Sequence, residues 1–102
     1  MKAKDVKAKF RQSKEWKEFR KRMFDKQDGK DIITGKKLCK GYHVHHLDMA
    51  AENYDQLIEE NFIAVNKQTH ETLHFLFRYY QKDPTILDRL KTVLDKMNEL
   101  NK

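Results

Sequence analysis

The sequence has few of the residues that would fix a disulfide-rich or membrane-spanning structure. Cys39 is the single cysteine among 102 residues, which excludes an intrachain disulfide and a zinc site built from several cysteines. One proline and three glycines exclude a long Pro- or Gly-rich linker. No apolar run approaches the roughly 20 residues of a membrane span, and no apolar signal core follows the lysines of residues 2–9. We therefore expect a cytoplasmic protein without a membrane-spanning segment.

Charged residues are plentiful, at 37% of the chain, and they are unevenly distributed. Residues 1–40 contain 15 of the 22 lysines and arginines and 6 of the 16 acidic residues, a local net charge of +9. Residues 41–102 carry a local net charge of −3. The overall charge of +6 suits a polyanionic partner such as DNA. A solvated, lysine-rich helix explains the same pattern equally well, so charge alone leaves both interpretations open.

Hydrophobic periodicity predicts an α+β fold. Apolar residues recur at helical spacing over residues 13–27, with Ser13 as a plausible N-cap. The segment at about 42–47 is typical of a strand, and the compact apolar run at 62–65 is typical of the second strand of a hairpin. A second helical stripe covers about 67–81.

Boundary signals complete this prediction. Asn66 is a good N-cap for the helix that follows it, and Asp83-Pro84 is typical of the start of a final helix. A chain of this length holds one hydrophobic core, so we expect a single domain over residues 1–102. Its predicted parts are a basic helical segment over 1–31, a core over about 32–81 and a C-terminal helix over 83–102.

The five histidines fall in the segment predicted to form strand, strand and helix: His43, His45, His46, His70 and His74. His70 and His74 lie one turn apart on one helix face and can share a metal ion, with nitrogen–zinc distances of about 2.0–2.1 Å. Side chains alternate along a strand, so His46 points away from His43 and His45 unless the strand ends or bulges there. Adjacent histidines at a strand end can divide two tasks, because an imidazole that coordinates a metal cannot also accept a proton.

The combination of His45-His46, Asn61, His70 nine residues later and His74 resembles the HNH endonucleases with the ββα-metal (His-Me finger) fold. The colicin-type DNases are the most similar variant. The resemblance covers about residues 32–81. It implies a ββα-metal core and a metal-dependent endonuclease that hydrolyses DNA phosphodiester bonds, leaving 5′-phosphate and 3′-hydroxyl ends.

The resemblance implies a role for each matched residue. His45, His70 and His74 would bind one divalent metal. His46 would be the general base that activates the attacking water, and the side-chain amide of Asn61 would brace the loop that orients His46. The chain departs from many HNH proteins in two respects, because it lacks the cysteine pairs of a separate structural zinc and has His45 where many have aspartate.

The sequence leaves open which metal ion is bound and which residues contact DNA. Three imidazoles favour zinc, nickel or cobalt by affinity, with zinc expected as the bound ion, whereas availability favours magnesium or manganese. His43, Lys36, Lys37 and Lys40 are candidate DNA contacts, although an exposed basic hairpin explains the lysines equally well. We expect a monomer, with a dimer through the C-terminal helix as the alternative. By family analogy, a phage or mobile-element nuclease fits a protein of this size.

Two other functions remain open from the sequence. The first is a nucleic-acid-binding module with a structural zinc held by His43, His45, His70 and His74, because four protein ligands would leave no open position for a substrate. The second is an HNH fold that has lost activity and serves as an interaction or assembly subunit. Cleavage of supercoiled plasmid with added metal distinguishes the enzyme from both.

The basic N-terminal segment generates a testable prediction. Deleting residues 1–12 should weaken DNA binding most at low salt, because each phosphate that a lysine or arginine neutralises releases condensed counterions. The measurement is the dissociation constant for a duplex of arbitrary sequence across a series of salt concentrations. Unchanged affinity at every ionic strength would refute a DNA-binding role for this segment.

Overall fold

The computed structural model describes residue 10 and residues 12–48 and 56–102. Within these residues the chain forms three α-helices and one two-stranded antiparallel sheet, in the order α1 (Lys14–Lys26), β1 (His43–His46), β2 (Phe62–Val65), α2 (Lys67–Lys82) and α3 (Ile86–Leu100). A short 3-10 helix, Glu59–Asn61, leads directly into β2. The predicted α+β class is confirmed. Most of the segment predicted to give salt-sensitive DNA affinity, residues 1–9 and 11, lies outside the described residues.

Helix α1 begins where the sequence predicts. The hydroxyl oxygen of Ser13 accepts a hydrogen bond from the Trp16 backbone N–H at 3.2 Å, which caps the first turn. After Lys26 the backbone turns through positive φ, and Gly29, at φ 68°, donates its N–H to the Phe24 carbonyl at 2.9 Å. A Cβ at Gly29 would lie 3.0 Å from the Phe24 ring, so glycine suits both the backbone angle and the space.

The core lies between α1 and one face of the β1–β2 hairpin. In the antiparallel register His46 is opposite Phe62 and Val44 is opposite Ala64. Directly opposed residues share a face of the sheet, and this face carries the buried side chains of Phe62 and Ala64. The rings of Phe19 and Phe62 meet edge to face at 4.8 Å between centroids. The core cluster consists of Phe19, Met23, Leu38, Phe62 and Ala64.

The outer edge of β2 is covered by a side chain. The Gln27 amide donates to the Ala64 carbonyl and accepts from the Ala64 N–H, both at 2.8 Å, so it substitutes for a neighbouring strand at that position. The Ile32 N–H also donates to the Ala64 carbonyl, at 3.4 Å. Pairing of this edge removes unsatisfied backbone groups beside the core.

Asp31 joins the loop after α1 to the start of α2. Its carboxylate is 1% exposed and accepts hydrogen bonds from the backbone N–H groups of Ile33, Thr34 and Asn66 at 2.8–3.0 Å. Burial alone would raise the pKa of this carboxyl group. The hydrogen bonds, which include one from the Thr69 side chain, outweigh burial and lower the pKa of Asp31 below its ordinary value.

Two local details differ from the sequence-based expectation. The Asn66 side chain accepts from the Cys39 N–H at 2.7 Å and donates to the Lys37 carbonyl at 3.0 Å, so it braces that loop, while the Asn66 carbonyl accepts from the His70 N–H. Backbone groups brought close by the tertiary fold compete with the helix N-terminus for this side chain. Helix α3 begins at Ile86, because Asp83 accepts from the N–H and hydroxyl of Thr85 and forms a turn before the helix.

By backbone contacts the chain divides into two compact units, Met1–His70 and Glu71–Lys102. The first contains α1, the hairpin and the core. The second contains most of α2 and all of α3, and each of its residues is half-buried or exposed. Helix α2 runs without a break through the boundary. Within the described residues, no helix combines the length and apolar character needed to cross a membrane.

The Asp31 network predicts a large loss of stability on substitution. Asp31→Ala should lower the free energy of unfolding by about 2–4 kcal/mol, because it leaves three partly buried backbone N–H groups without an acceptor. Urea unfolding at neutral pH measures this change. Asp25→Ala, which removes an exposed carboxylate from the last turn of α1, is the matched control and should have little effect.

The difference in free energy of unfolding between wild type and Asp31→Ala should change with pH in one direction. The folded-state pKa of Asp31 is lowered. The Asp31 carboxylate therefore makes its full contribution to the free energy of unfolding above the carboxyl pKa of the unfolded chain, about 3.9. The contribution is lost as the pH falls through the lower folded-state pKa. The stability difference between wild type and Asp31→Ala should therefore shrink on acidification, and a constant difference would contradict the assigned network.

Candidate metal centre

Strand β1 presents histidines on both faces of the sheet. His43 and His45 lie opposite Val65 and Ile63 on the face away from α1, and His46 lies opposite Phe62 on the core face. The strand ends immediately after His46, where the Leu47 N–H donates to the Asn61 carbonyl at 2.8 Å. All three histidines are half-buried.

Helix α2 supplies two further histidines. His70 is in the first turn, and His74 follows it one turn later on the same helix face, so the helix backbone fixes their spacing. One ring nitrogen from each of His45, His70 and His74 lies within 4.8 Å of the other two. The structure therefore brings together the three histidines that the sequence analysis selects as metal ligands.

The chemistry of this cluster fits a divalent metal ion. A zinc ion would lie about 2.0–2.1 Å from each nitrogen, so the three nitrogens would have to be closer together than the 4.8 Å limit, a change that rotation of the side chains can supply. The rings of His45 and His70 are near perpendicular, at 74°, with centroids 4.9 Å apart. Perpendicular rings can direct their in-plane nitrogens at a common point. Three protein ligands leave coordination positions open.

The other two histidines lie outside the cluster, each stacked on an aromatic ring. His43 stacks on His70 with centroids 4.4 Å apart and planes 6° apart. His46 stacks on Phe62, at 4.4 Å and 5°. Phe62 is itself buried against Phe19 and Trp16. Packing in the core thus fixes the plane of the His46 ring. On the opposite face of the sheet, His43 stacks on His70, one of the three clustered histidines.

The remaining predicted site residues lie around this hairpin. Asn61 ends the 3-10 helix before β2, and its contact with the end of β1 is made through its backbone carbonyl. Lys36, Lys37 and Lys40 are exposed in the segment between α1 and β1, and the backbone of Lys37 pairs with Lys30. Their exposure is compatible with phosphate contacts.

Sequence reasoning missed the residues that support the histidines. Phe62 was expected only as part of a strand, and its role as the stacking partner of His46 follows from the hairpin register. Gln27 and Asp31 carry no periodic signal, because each bonds to backbone more than 30 residues away. One local signal was present: Asp31 precedes Ile-Ile-Thr in a turn, and an aspartate in a turn commonly accepts hydrogen bonds from the backbone that follows it.

Comparisons of the chain with models of known protein families, with curated proteins and with solved structures found no match. Similarity therefore assigns the chain to no family, and its function is inferred from the geometry of the site and from the histidine pattern.

The cluster predicts binding of one divalent ion per chain. Replacing any ligand by alanine should weaken zinc or cobalt affinity by at least about 100-fold, since removal of an outer-shell partner alone typically costs about 10–100-fold. Calorimetric titration or competition with a chelator measures this affinity, with variants His45→Ala, His70→Ala and His74→Ala. Glu71→Ala, an exposed position on α2 next to His70, is the control. Undiminished affinity in any ligand variant would exclude that residue from the site.

Proposed function

We propose that this protein is a metal-dependent endonuclease of the HNH type that hydrolyses DNA phosphodiester bonds. The observation that carries the proposal is the cluster of His45, His70 and His74, contributed by the first strand and the helix of a strand-strand-helix sequence. This is the order of elements and ligands that the resemblance to the ββα-metal fold implies. The basic N-terminal half of the sequence supports a nucleic-acid substrate.

The histidine cluster has the position and chemistry that such a reaction requires. A divalent ion held by His45, His70 and His74 would, when bound, neutralise charge developing on the phosphoryl oxygens and stabilise the departing oxygen. The half-buried imidazoles hold the ligand nitrogens on the face of the sheet away from α1.

His46 is the proposed general base. It is adjacent to the ligand His45, at the residue where β1 ends. Stacking on Phe62 occupies a face of its imidazole and leaves the nitrogens, which lie at the ring edge, able to accept a proton from water. The stack also fixes the ring plane. The Asn61 carbonyl bonds to the residue after His46, and the side-chain amide of Asn61, which Asn61→Ala removes, is proposed to brace the loop that orients His46.

The four-histidine structural zinc is less well supported. Closure of the site would require His43 to join the cluster, and His43 is instead stacked parallel on His70. Two parallel, stacked imidazoles cannot direct their in-plane nitrogen lone pairs at one ion. An inactive assembly subunit remains the alternative that a cleavage assay decides.

The cleavage assay uses supercoiled plasmid with magnesium, manganese, zinc, nickel or cobalt, and with a chelator as the blank. Wild-type protein should produce nicked or linear DNA bearing 5′-phosphate ends. His46→Ala should reduce the cleavage rate by at least about 10²–10⁴-fold, the usual contribution of a general base, while metal affinity is retained. His45→Ala should lose both metal affinity and cleavage, and Asn61→Ala should retain part of the activity.

One further variant separates chemistry from packing. His46→Phe keeps an aromatic ring on Phe62 and removes the proton acceptor, so it should fold like wild type and remain inactive. The proposal would be overturned by cleavage at near wild-type rate in both His46 variants. If His43→Ala were then inactive, the catalytic histidine would be His43, two positions earlier on the strand.

A further inference from the structure

His43 has no role in the proposed metal site or proton transfer, although it contacts a metal-site residue. It is the first residue of β1, half-buried, and it shares its strand face with His45. Its imidazole lies 4.4 Å from that of His70 with nearly parallel planes. The contact connects the start of β1 to the first turn of α2, 27 residues apart in the chain, so local sequence does not impose it.

The geometry of the stack is unsuited to metal ligation by His43. An imidazole binds a metal through a lone pair in the plane of its ring. An ion in the plane of His70 would lie several ångströms from the plane of His43, because two parallel stacked planes do not intersect near the rings. This agrees with the ligand cluster, which contains His45, His70 and His74 but not His43.

We propose that His43 is a positioning residue that fixes the ring plane of His70 for metal binding. This inference rests on the proposed metal site. His70 is contacted by His43 face to face and by His45 edge to face, and these two contacts restrict the rotation of its ring. A ligand held in its bound orientation loses less conformational freedom when the ion arrives. The effect requires an aromatic ring at position 43 and does not require its nitrogens.

This requirement gives a direct test with two substitutions. His43→Ala removes the ring, and zinc or cobalt affinity should fall by about 3- to 10-fold, the range expected for loss of one aromatic pair. His43→Phe retains a flat ring without nitrogens and should bind within about 2-fold of wild type. Rescue by phenylalanine distinguishes stacking from ligation or proton transfer, since both of those require a nitrogen.

A double-substitution cycle tests whether His43 acts through His70. In a His70→Ala background, His43→Ala should cause no further loss of metal affinity, because the ring that it positions is absent. Phe75→Ala is the matched control: it removes an exposed aromatic ring of α2 that does not belong to the cluster, and it should leave metal affinity unchanged. In metal-free protein, NMR should show upfield-shifted His70 ring protons that move downfield in His43→Ala.

The outcomes separate this inference from the proposed function. Equal loss of metal affinity in His43→Ala and His43→Phe, or an undiminished loss in the His70→Ala background, would overturn the positioning role while leaving DNA cleavage by wild type intact. Conversely, a wild-type protein that binds metal without cleaving DNA would overturn the nuclease proposal, and the pattern of metal affinities would still support the positioning role.

Discussion

The buried carboxylate of Asp31 determines where the helix that carries His70 begins. It accepts hydrogen bonds from the Asn66 N–H and the Thr69 side chain at the start of α2, and from two backbone N–H groups of its own turn. Buried backbone donors need acceptors, and the positive end of a helix dipole favours a negative group nearby. Because His70 is only one turn further on, the geometry of the histidine cluster depends on this carboxylate.

The second constraint is the alternation of side chains along β1. Phe62 belongs to the core through Phe19 and also stacks on His46, so packing against α1 sets the orientation of the proposed base. On the opposite face, His45 joins the cluster and His43 stacks on His70. Neighbouring histidines of this four-residue strand therefore lie in different surroundings: His45 in the cluster and His46 against the core. His46 is the last residue of β1, the position at which side chains of both faces come closest to a common point beyond the strand in the proposed reaction.

The sequence predicts the elements well because their signals are local. The helix over 67–81 and the strand over 62–65 are found within one residue of the predicted bounds, since apolar periodicity and flanking polar residues mark both. The three clustered histidines were also predictable, from helix spacing and the adjacent strand pair. The Gln27 and Asp31 bonds and the His46–Phe62 stack were not, because they depend on pairings between distant segments. The long connection between the strands gives no turn signal that would fix their register.

The separation of core and cluster has a consequence for how the fold is stabilised. Aromatic packing on α1, the Gln27 edge pairing and the Asp31 network use residues other than the candidate ligands. A closed zinc site in a small domain commonly replaces a core, and such a domain unfolds without its metal. Here the core cluster contains none of the candidate ligands, and a bound ion would stabilise the folded state by mass action. A site whose ligands lie outside the core cluster can keep open coordination positions, and open positions are the property that a hydrolytic metal centre needs.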